Sequence, residues 1–371
     1  MEKLDVEIKG KNNNYCIFVG NSIMQDLIDY IKTKHAKRRF ALITDDTISK
    51  LHCEVISLFN ELKPFLIVIP AGEASKSREM KEKIEDRLLE NKFGRDTLIV
   101  AVGGGVIGDL AGFVASTFSR GIPIIHVPTT LLAMADSSIG GKTSVNTNHG
   151  KNLVGTIHQP DAVFADLKFL DTLPDEEFRN GLAEIIKIAI VNDRKLFDFI
   201  DKHAEEILNR DKDTLQHIVL EAIELKKSII EKDTYESGLR QILNFGHTFG
   251  HALEASCDYK IKHGCAVAEG ILVESKLSML LGNLKETEEV RIRHLIKSMG
   301  FQITADLDFG TSKMLDLMEM DKKSLKQKPR FVLIENIGKV KSEDEMFSFE
   351  AENKTIKQAI ELCKNDANKT H

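Results

Sequence analysis

No apolar run in this sequence approaches the roughly 20 residues that a membrane-spanning helix needs. The opening MEKLDVEIKG lacks the apolar core of a secretory signal. Cysteine is sparse. Cys16, Cys53, Cys257, Cys265 and Cys363 are scattered and odd in number, which argues against a disulfide frame and for a reducing, cytoplasmic setting. No CxxC pair exists to build a structural zinc knuckle. Positive charge is not in excess either: the net charge of -6 gives no support to a general nucleic-acid binder. Repeats and low-complexity tracts are also missing, which excludes solenoids and fibres. These absences leave no membrane and no nucleic-acid partner to expect.

What is present is enough chain for two domains and a sizeable core, since 371 residues exceed one domain of ordinary size. The first half alternates short apolar runs with amphipathic stretches. The runs are Phe40 to Asp46, Phe65 to Gly72, Thr97 to Gly105, Ile122 to Thr130 and Ala162 to Leu167. Near-continuous apolar runs suit strands buried on both faces, so the pattern predicts a parallel sheet covered by helices. DVEIKG and YCIFVG, split by Lys11 and three asparagines, read as a hairpin. From about Phe178 helical periods take over, as in GLAEIIKIAIV and AVAEGILVESKLSMLL, with one late β-like run from Arg330 to Gly338. The expected boundary lies near Leu173-Pro174, giving domains 1–173 and 174–371. The tail after Lys364 is polar and is expected to fray.

TLIVAV leads straight into Gly103, Gly104, Gly105, Val106, Ile107, Gly108 and Asp109. Glycines between a strand and a helix let backbone approach a pyrophosphate, which the helix N-terminus stabilises. On this motif alone, a tight turn explains the glycines equally well. Neighbouring strand ends favour the nucleotide. Asp45 ends one run, Gly72 and Glu73 another, and Thr129 and Thr130 a fourth. Ligands of open parallel sheets sit at such carboxyl ends.

LNFGHTFGHALE places His247 and His251 four residues apart, on one face of a helix, and His263 follows at the start of the next. Glu184 lies on another apolar helix. Two imidazoles and a carboxylate make a catalytic zinc site with an open position. Any one of these histidines alone is better read as a core residue bonded to backbone. Three within seventeen residues, bracketed by glycines, favour a metal. The spacing is not HExxH, which disfavours a metalloprotease. Lys142 and Lys151-Asn152 follow glycines, Lys187 shares a helix face with Glu184, and Arg240 and Asn244 lead into His247. Such groups suit a phosphorylated, carboxylated substrate. Solvated surface explains most lysines, but not Lys187, whose helix is apolar almost all round.

GGGVIGDLAGFVASTFSRG, VPTTLLAMADSSIGGKTSVN, GKNLVGTIHQP, GLAEIIKIAI, ESGLRQILNFGHTFGHALE, HGCAVAEGI and MDKKSLKQKPRFVLIENIG together resemble the 3-dehydroquinate synthase family over nearly the whole chain. The resemblance implies an N-terminal Rossmann-like NAD-binding α/β domain, a mainly α-helical metal- and substrate-binding domain, and a homodimer. It implies that Glu184, His247 and His263 hold one divalent metal, zinc or cobalt. It gives NAD contacts at Asp45, Gly72, Glu73, Lys76, Gly105, Val106, Ile107, Gly108, Asp109, Thr129, Thr130, Lys142, Lys151, Phe169, Leu170, Asp171 and Thr172. Substrate contacts follow at Asp136, Lys142, Asn152, Lys187, Lys226, Arg240, Asn244, His251 and Lys322. Arg120 resembles the arginine that reaches the neighbouring subunit's phosphate site. Cys265 and Thr234 stand where the family usually has glutamate.

The implied activity converts 3-deoxy-D-arabino-heptulosonate 7-phosphate to 3-dehydroquinate. NAD acts as a recycled oxidant and the metal as a Lewis acid. A polyol dehydrogenase of related fold would lack the phosphate and carboxylate contacts. A sibling cyclase such as 2-deoxy-scyllo-inosose synthase would resemble DSSIGGKT less. A dead scaffold would not retain every ligand type.

Overall fold

Strands buried on both faces explain the first half of the chain. The computed structural model describes residues 1–8, 14–301, 310–320 and 328–368. Chain contacts define two units, Met1–Pro174 and Asp175–His371. In the first, β1 (Glu2–Val6), β2 (Tyr15–Gly20), β3 (Arg39–Asp45), β4 (Phe65–Ile69), β5 (Thr97–Gly103), β6 (Ile124–Pro128), β7 (Lys142–Thr147), β8 (Gly150–Ile157) and β9 (Ala162–Asp166) occur in chain order. Seven of them form one sheet in the order β1-β2-β9-β6-β5-β3-β4. Only the β1–β2 pair is antiparallel; β2, β9, β6, β5, β3 and β4 run parallel. All seven residues of β5, at the sheet centre, are buried.

The apolar runs therefore mark the strands, but each run outlasts its strand by one to three residues. Asp46 opens a helix, and Gly72, Gly105 and Thr130 lie beyond the last ladder bond. Those overhangs are where a parallel sheet turns its carboxyl ends to a ligand. The β1–β2 hairpin forms as expected, its first strand starting three residues before DVEIKG; Lys11, Asn12 and Asn13 lie outside the described residues. The stretch that bears Lys142 and Lys151 is a two-stranded ribbon. β7 pairs antiparallel with β8, and Thr143 meets Thr156 and Ser144 meets Gly155. Gly155 has to be glycine there, because a Cβ would stand 1.9 Å from the Thr143 carbonyl oxygen.

The second unit is helical. Its centre is the helix His263–Leu280, buried almost all round and packed by Asp175–Asn192, His247–Ser256, Glu286–Ser298 and Asn353–Asn368. The late β-like run breaks into short pieces: Arg330–Phe331 pairs with Phe349–Glu350, and Ile334–Asn336 with Lys339–Val340. The tail does not fray at Lys364. The last helix runs on to Asn368 and buries Ile356, Ala359 and Ile360. Asp366 also accepts from the buried Lys276 Nζ at 3.1 Å, which Glu289 grips at 2.8 Å. An ion pair held this far from water is costly to break on one side only. Among the described residues, no helix is long and apolar enough to cross a membrane.

Candidate active site

Glycine decides how closely the histidine-bearing helices approach. Gly246 has φ +78°, and a Cβ there would stand 2.9 Å from the Val267 carbonyl oxygen. At Gly270 a Cβ would lie 1.8 Å from the Gly246 oxygen, and at Gly250 3.0 Å from the Ala266 oxygen. The helices His247–Ser256 and His263–Leu280 thus touch backbone to backbone. Gly264 does the same against Asn180, where a Cβ would fall 2.2 Å from the carbonyl oxygen. Asn180 Oδ1 also accepts the Gly264 N–H at 2.5 Å. These seams bring the first residue of each histidine helix to the helix that carries Glu184.

The result is a triangle. Nε2 of His263 lies 3.3 Å from Glu184 Oε1, and Nε2 of His247 lies 3.6 Å from the same atom. The three ligand atoms all lie within 4.8 Å of one another. Ligands about 2.1 Å from a tetrahedral ion stand about 3.4 Å apart, so the triangle fits zinc or cobalt. Glu184 Oε1 is buried and makes no well-formed hydrogen bond within the described residues, although Lys187 Nζ bonds the other oxygen. A buried carboxylate oxygen left in that state calls for a cation. Burial works against the charge on Glu184, but the Lys187 ammonium and His263 outweigh it and hold the carboxyl below the usual range. Burial likewise opposes charge on His263, yet the neighbouring carboxylates of Glu184 and Glu254 push it up to about 9.

His251 lies one turn beyond His247, with ring centroids 5.2 Å apart, and 6.0 Å from the His263 ring. Lys226 and Arg240 are buried in the same unit. Arg240 Nη1 donates to the Thr234 carbonyl at 2.6 Å, and its backbone N–H to Asp233 at 3.0 Å. Thr234 thus holds Arg240 through its backbone, while its hydroxyl bonds back to the Ile230 carbonyl. A change of side chain at 234 therefore leaves this grip intact. Cys265 is half-buried, and burial pushes its thiol up. Asn244 donates to Glu236 at 2.6 Å. Glu236, Glu254 and Asn180 escaped the sequence reading. Glu254 stands seven residues after His247, on the same helix face, which was the available signal. Lys322 lies outside the described residues.

In the first unit the expected NAD contacts gather at strand ends. Asp45 closes β3, but its carboxylate also caps the next helix, accepting the Ile48 N–H at 2.8 Å. Gly72 has φ +103°, and Glu73 accepts from Asn146 at 2.6 Å. Lys76 Nζ reaches Asp109 Oδ2 at 2.5 Å and Asn152 Oδ1 at 2.6 Å. Burial pushes the Asp109 carboxyl up, against the pull of Lys76. Ser144 also bonds Asn152, at 2.8 Å. Lys142 and Lys151 stand on β7 and β8, and Asn152 adopts φ +58°.

Gly105 to Asp109 form the first turn of the helix Gly105–Thr117, whose N-terminus no side chain caps. The buried Thr129 hydroxyl has no partner among the described residues, and Thr130 accepts the Ala133 N–H at 3.2 Å. An open helix N-terminus among glycines fits a pyrophosphate. Phe169 and Leu170 are buried, Asp171 is exposed, and Thr172 bonds His52 at 2.9 Å. Asp136 sits in a π-helical turn, Ala133–Ser137, a form often found at functional sites. Arg120 is exposed in a left-handed corner before β6, with φ +68°.

A Cβ on Gly105 already stands 3.2 Å from Ser137 Oγ, so a branched side chain fills the space the backbone leaves. Gly105→Val is expected to weaken NAD binding about tenfold or more, read by NADH fluorescence titration. Unchanged affinity in a variant with an unchanged circular dichroism spectrum would count against this placement.

Solved structures place the fold in one class. A 2-deoxy-scyllo-inosose synthase complexed with carbaglucose-6-phosphate, NAD+ and Co2+ matches with a TM-score of 0.89 and 25% identity, over 97% of this chain and 99% of that one. A 2-epi-5-epi-valiolone synthase from Streptomyces hygroscopicus, with NAD+ and Zn2+ bound, matches at 0.86 and 26%, over 96% and 98%. A probable glycerol dehydrogenase from Sinorhizobium meliloti, at 16% identity and a TM-score of 0.65, shares the fold alone. The class is thus that of the NAD- and metal-binding sugar-phosphate cyclases. Family models describing the 3-dehydroquinate synthase N-terminal and C-terminal regions match residues 66–180 and 181–324. The 3-dehydroquinate synthase of Thermodesulfovibrio yellowstonii is 40% identical over 97% of this chain and 99% of its own, and that of Dictyoglomus thermophilum 42% over 92% and 94%. The chain belongs to the 3-dehydroquinate synthase family.

Proposed function

We propose that this chain converts 3-deoxy-D-arabino-heptulosonate 7-phosphate to 3-dehydroquinate and phosphate, the second step toward chorismate and the aromatic amino acids. It is a phosphate-eliminating carbon–oxygen lyase. What carries the reading is 40% identity to a 3-dehydroquinate synthase across 97% of the chain, with the Glu184–His247–His263 triangle intact. The conversion is redox-neutral: C5 is oxidised, phosphate leaves, C5 is reduced again, and the opened ring closes by an aldol addition.

When bound, NAD supplies a reversible hydride acceptor and the divalent ion a Lewis acid. Glu184, His247 and His263 would hold the ion, and the first unit's strand ends, from Asp45 to Thr172, would hold the nucleotide. Lys187, buried against Glu184, keeps that carboxylate ionised and ready to ligate. Arg240 and Lys226 are the cations for the substrate carboxylate, since both are buried and a guanidinium pairs with carboxylate in two bonds. Lys142, Asn152, Asn244 and His251 are the donors for the phosphate, with Asp136 and Lys322 as further substrate contacts. The work of these side chains is to position substrate and exclude water. The test is phosphate release from the heptulosonate phosphate, with the product identified by NMR. NADH accumulating from a simple polyol, with no phosphate released, would replace this reading with a dehydrogenase.

The working form we propose is a cytoplasmic homodimer whose phosphate site borrows Arg120 from the partner. Arg120 precedes β6, at the end opposite Thr129 and Thr130, and faces solvent. Five residues of strand at about 3.3 Å each separate it from its own nucleotide-facing strand end. Arg120→Ala and Lys187→Ala should each be inactive as pure dimers. After subunit exchange, mixed dimers should carry one intact site, returning about a quarter of normal activity. No recovery after verified exchange would refute the shared site.

A further inference from the structure

An imidazole can ligate an ion through only one nitrogen at a time in this geometry, so something must decide which one. Nδ1 of His247 lies 3.2 Å from the Phe245 carbonyl oxygen, an atom that can only accept. That bond puts the proton on Nδ1 and leaves Nε2 toward Glu184. His263 stands at the first position of its own helix, and Nδ1 of its ring lies 3.2 Å from Glu254 Oε2. Glu254 is buried, on the helix His247–Ser256, in the face that runs through His247 and His251. An ionised carboxylate, like a carbonyl, only accepts. We propose that Glu254 is a positioning residue for the metal centre: it takes the Nδ1 proton of His263 in a hydrogen bond and so holds the ring with Nε2 toward Glu184.

The inference rests on Glu184, His247 and His263 being the metal ligands. Two different acceptors, a backbone carbonyl and a buried carboxylate, then do the same task for the two histidines. Partners of this kind fix ring orientation and raise ligand basicity, and losing one weakens metal binding about 10- to 100-fold. Glu254 also belongs to a second possible ligand group, with His251 and His263. An ion held there through His263 Nδ1 would have to displace the hydrogen bond that atom makes to Glu254.

The experiment is a cobalt titration of the ion-free full-length protein, followed by visible absorption and by competition with a chelating dye. Glu254→Leu should weaken cobalt binding about 10- to 100-fold, with one ion per chain and cobalt bands unchanged once saturated. Glu254→Gln keeps an acceptor oxygen and should stay within about fivefold of the natural protein. Turnover of the leucine variant should fall at limiting cobalt and recover at saturating cobalt. Affinity within twofold in Glu254→Leu, equal loss in both variants, or altered bands at saturation would each overturn the proposal; the last would make Glu254 a ligand. Glu184→Gln separates the two levels. If it leaves cobalt binding intact, the ligand assignment itself fails. If it abolishes binding while Glu254→Leu changes nothing, only the role of Glu254 fails.

Discussion

Replacing Glu184 by glutamine is expected to lower turnover by about a thousandfold or more and to leave no tightly held ion. A thousandfold is about 4 kcal/mol of barrier, within the several kcal/mol a Lewis acid contributes. The buried Glu184 Oε1 has two imidazoles within 3.6 Å and makes no well-formed hydrogen bond within the described residues. An amide there brings no charge to an ion. The parallel experiment is chelation of the natural protein, which should abolish turnover, with zinc or cobalt restoring it. Added metal should not rescue Glu184→Gln. The variant should also melt a few degrees lower, because Lys187 loses its ionic partner while staying buried. Full activity in a demonstrably metal-free preparation would sink the assignment.

Gly270→Ala is the second large effect, although it touches no proposed ligand. Its Cβ would fall 1.8 Å from the Gly246 carbonyl oxygen, a backbone atom that cannot rotate aside. The helices would have to separate. Overpacking of this kind costs about 3 kcal/mol, at the upper end for inserted methyl groups. In a unit of this size that corresponds to a melting temperature lower by roughly 6–12 °C. The same separation moves His247 away from His263, so cobalt affinity should drop with stability. Gly310→Ala supplies the control, since nothing among the described residues lies within 4 Å of its Cβ and its φ is not in the left-handed range. A Gly270→Ala protein that melts with the natural one would show that the seam yields.

The seam also shows what a sequence discloses and what it conceals. The parallel sheet was legible because strands covered on both faces are apolar nearly throughout, and β5 and β9 are buried along their whole length. The convergence of Glu184, His247 and His263 was legible because histidines this dense and a carboxylate in an apolar helix exceed what a core needs. The β7–β8 ribbon was not. β8 is half exposed and its apolar residues do not alternate cleanly. It also contains Asn152 in a left-handed conformation and Gly155 in a tight cross-strand approach. Glu254 was hidden for another reason: a single carboxylate in a helix reads as its solvated face. Only the placement of His263 against it reveals burial. Glycines 246, 250, 264 and 270 were visible as letters, but their purpose depends on which backbone lies opposite.

The last helix of the chain carries a consequence for how the protein is made. Synthesis runs from the N-terminus, and domains generally form in that order. Every strand of the seven-stranded sheet exists once Asp166 has been added, so the first unit has its whole sheet before most of the second is translated. The second unit has no such early closure. Ile356, Ala359 and Ile360 belong to its core, and Asp366 holds Lys276 from ninety residues away. The helix that bears His263 is thus finished long before the residues that cover it exist. Throughout that interval one face of this apolar helix, together with its buried lysine, waits for Asp366 to be added.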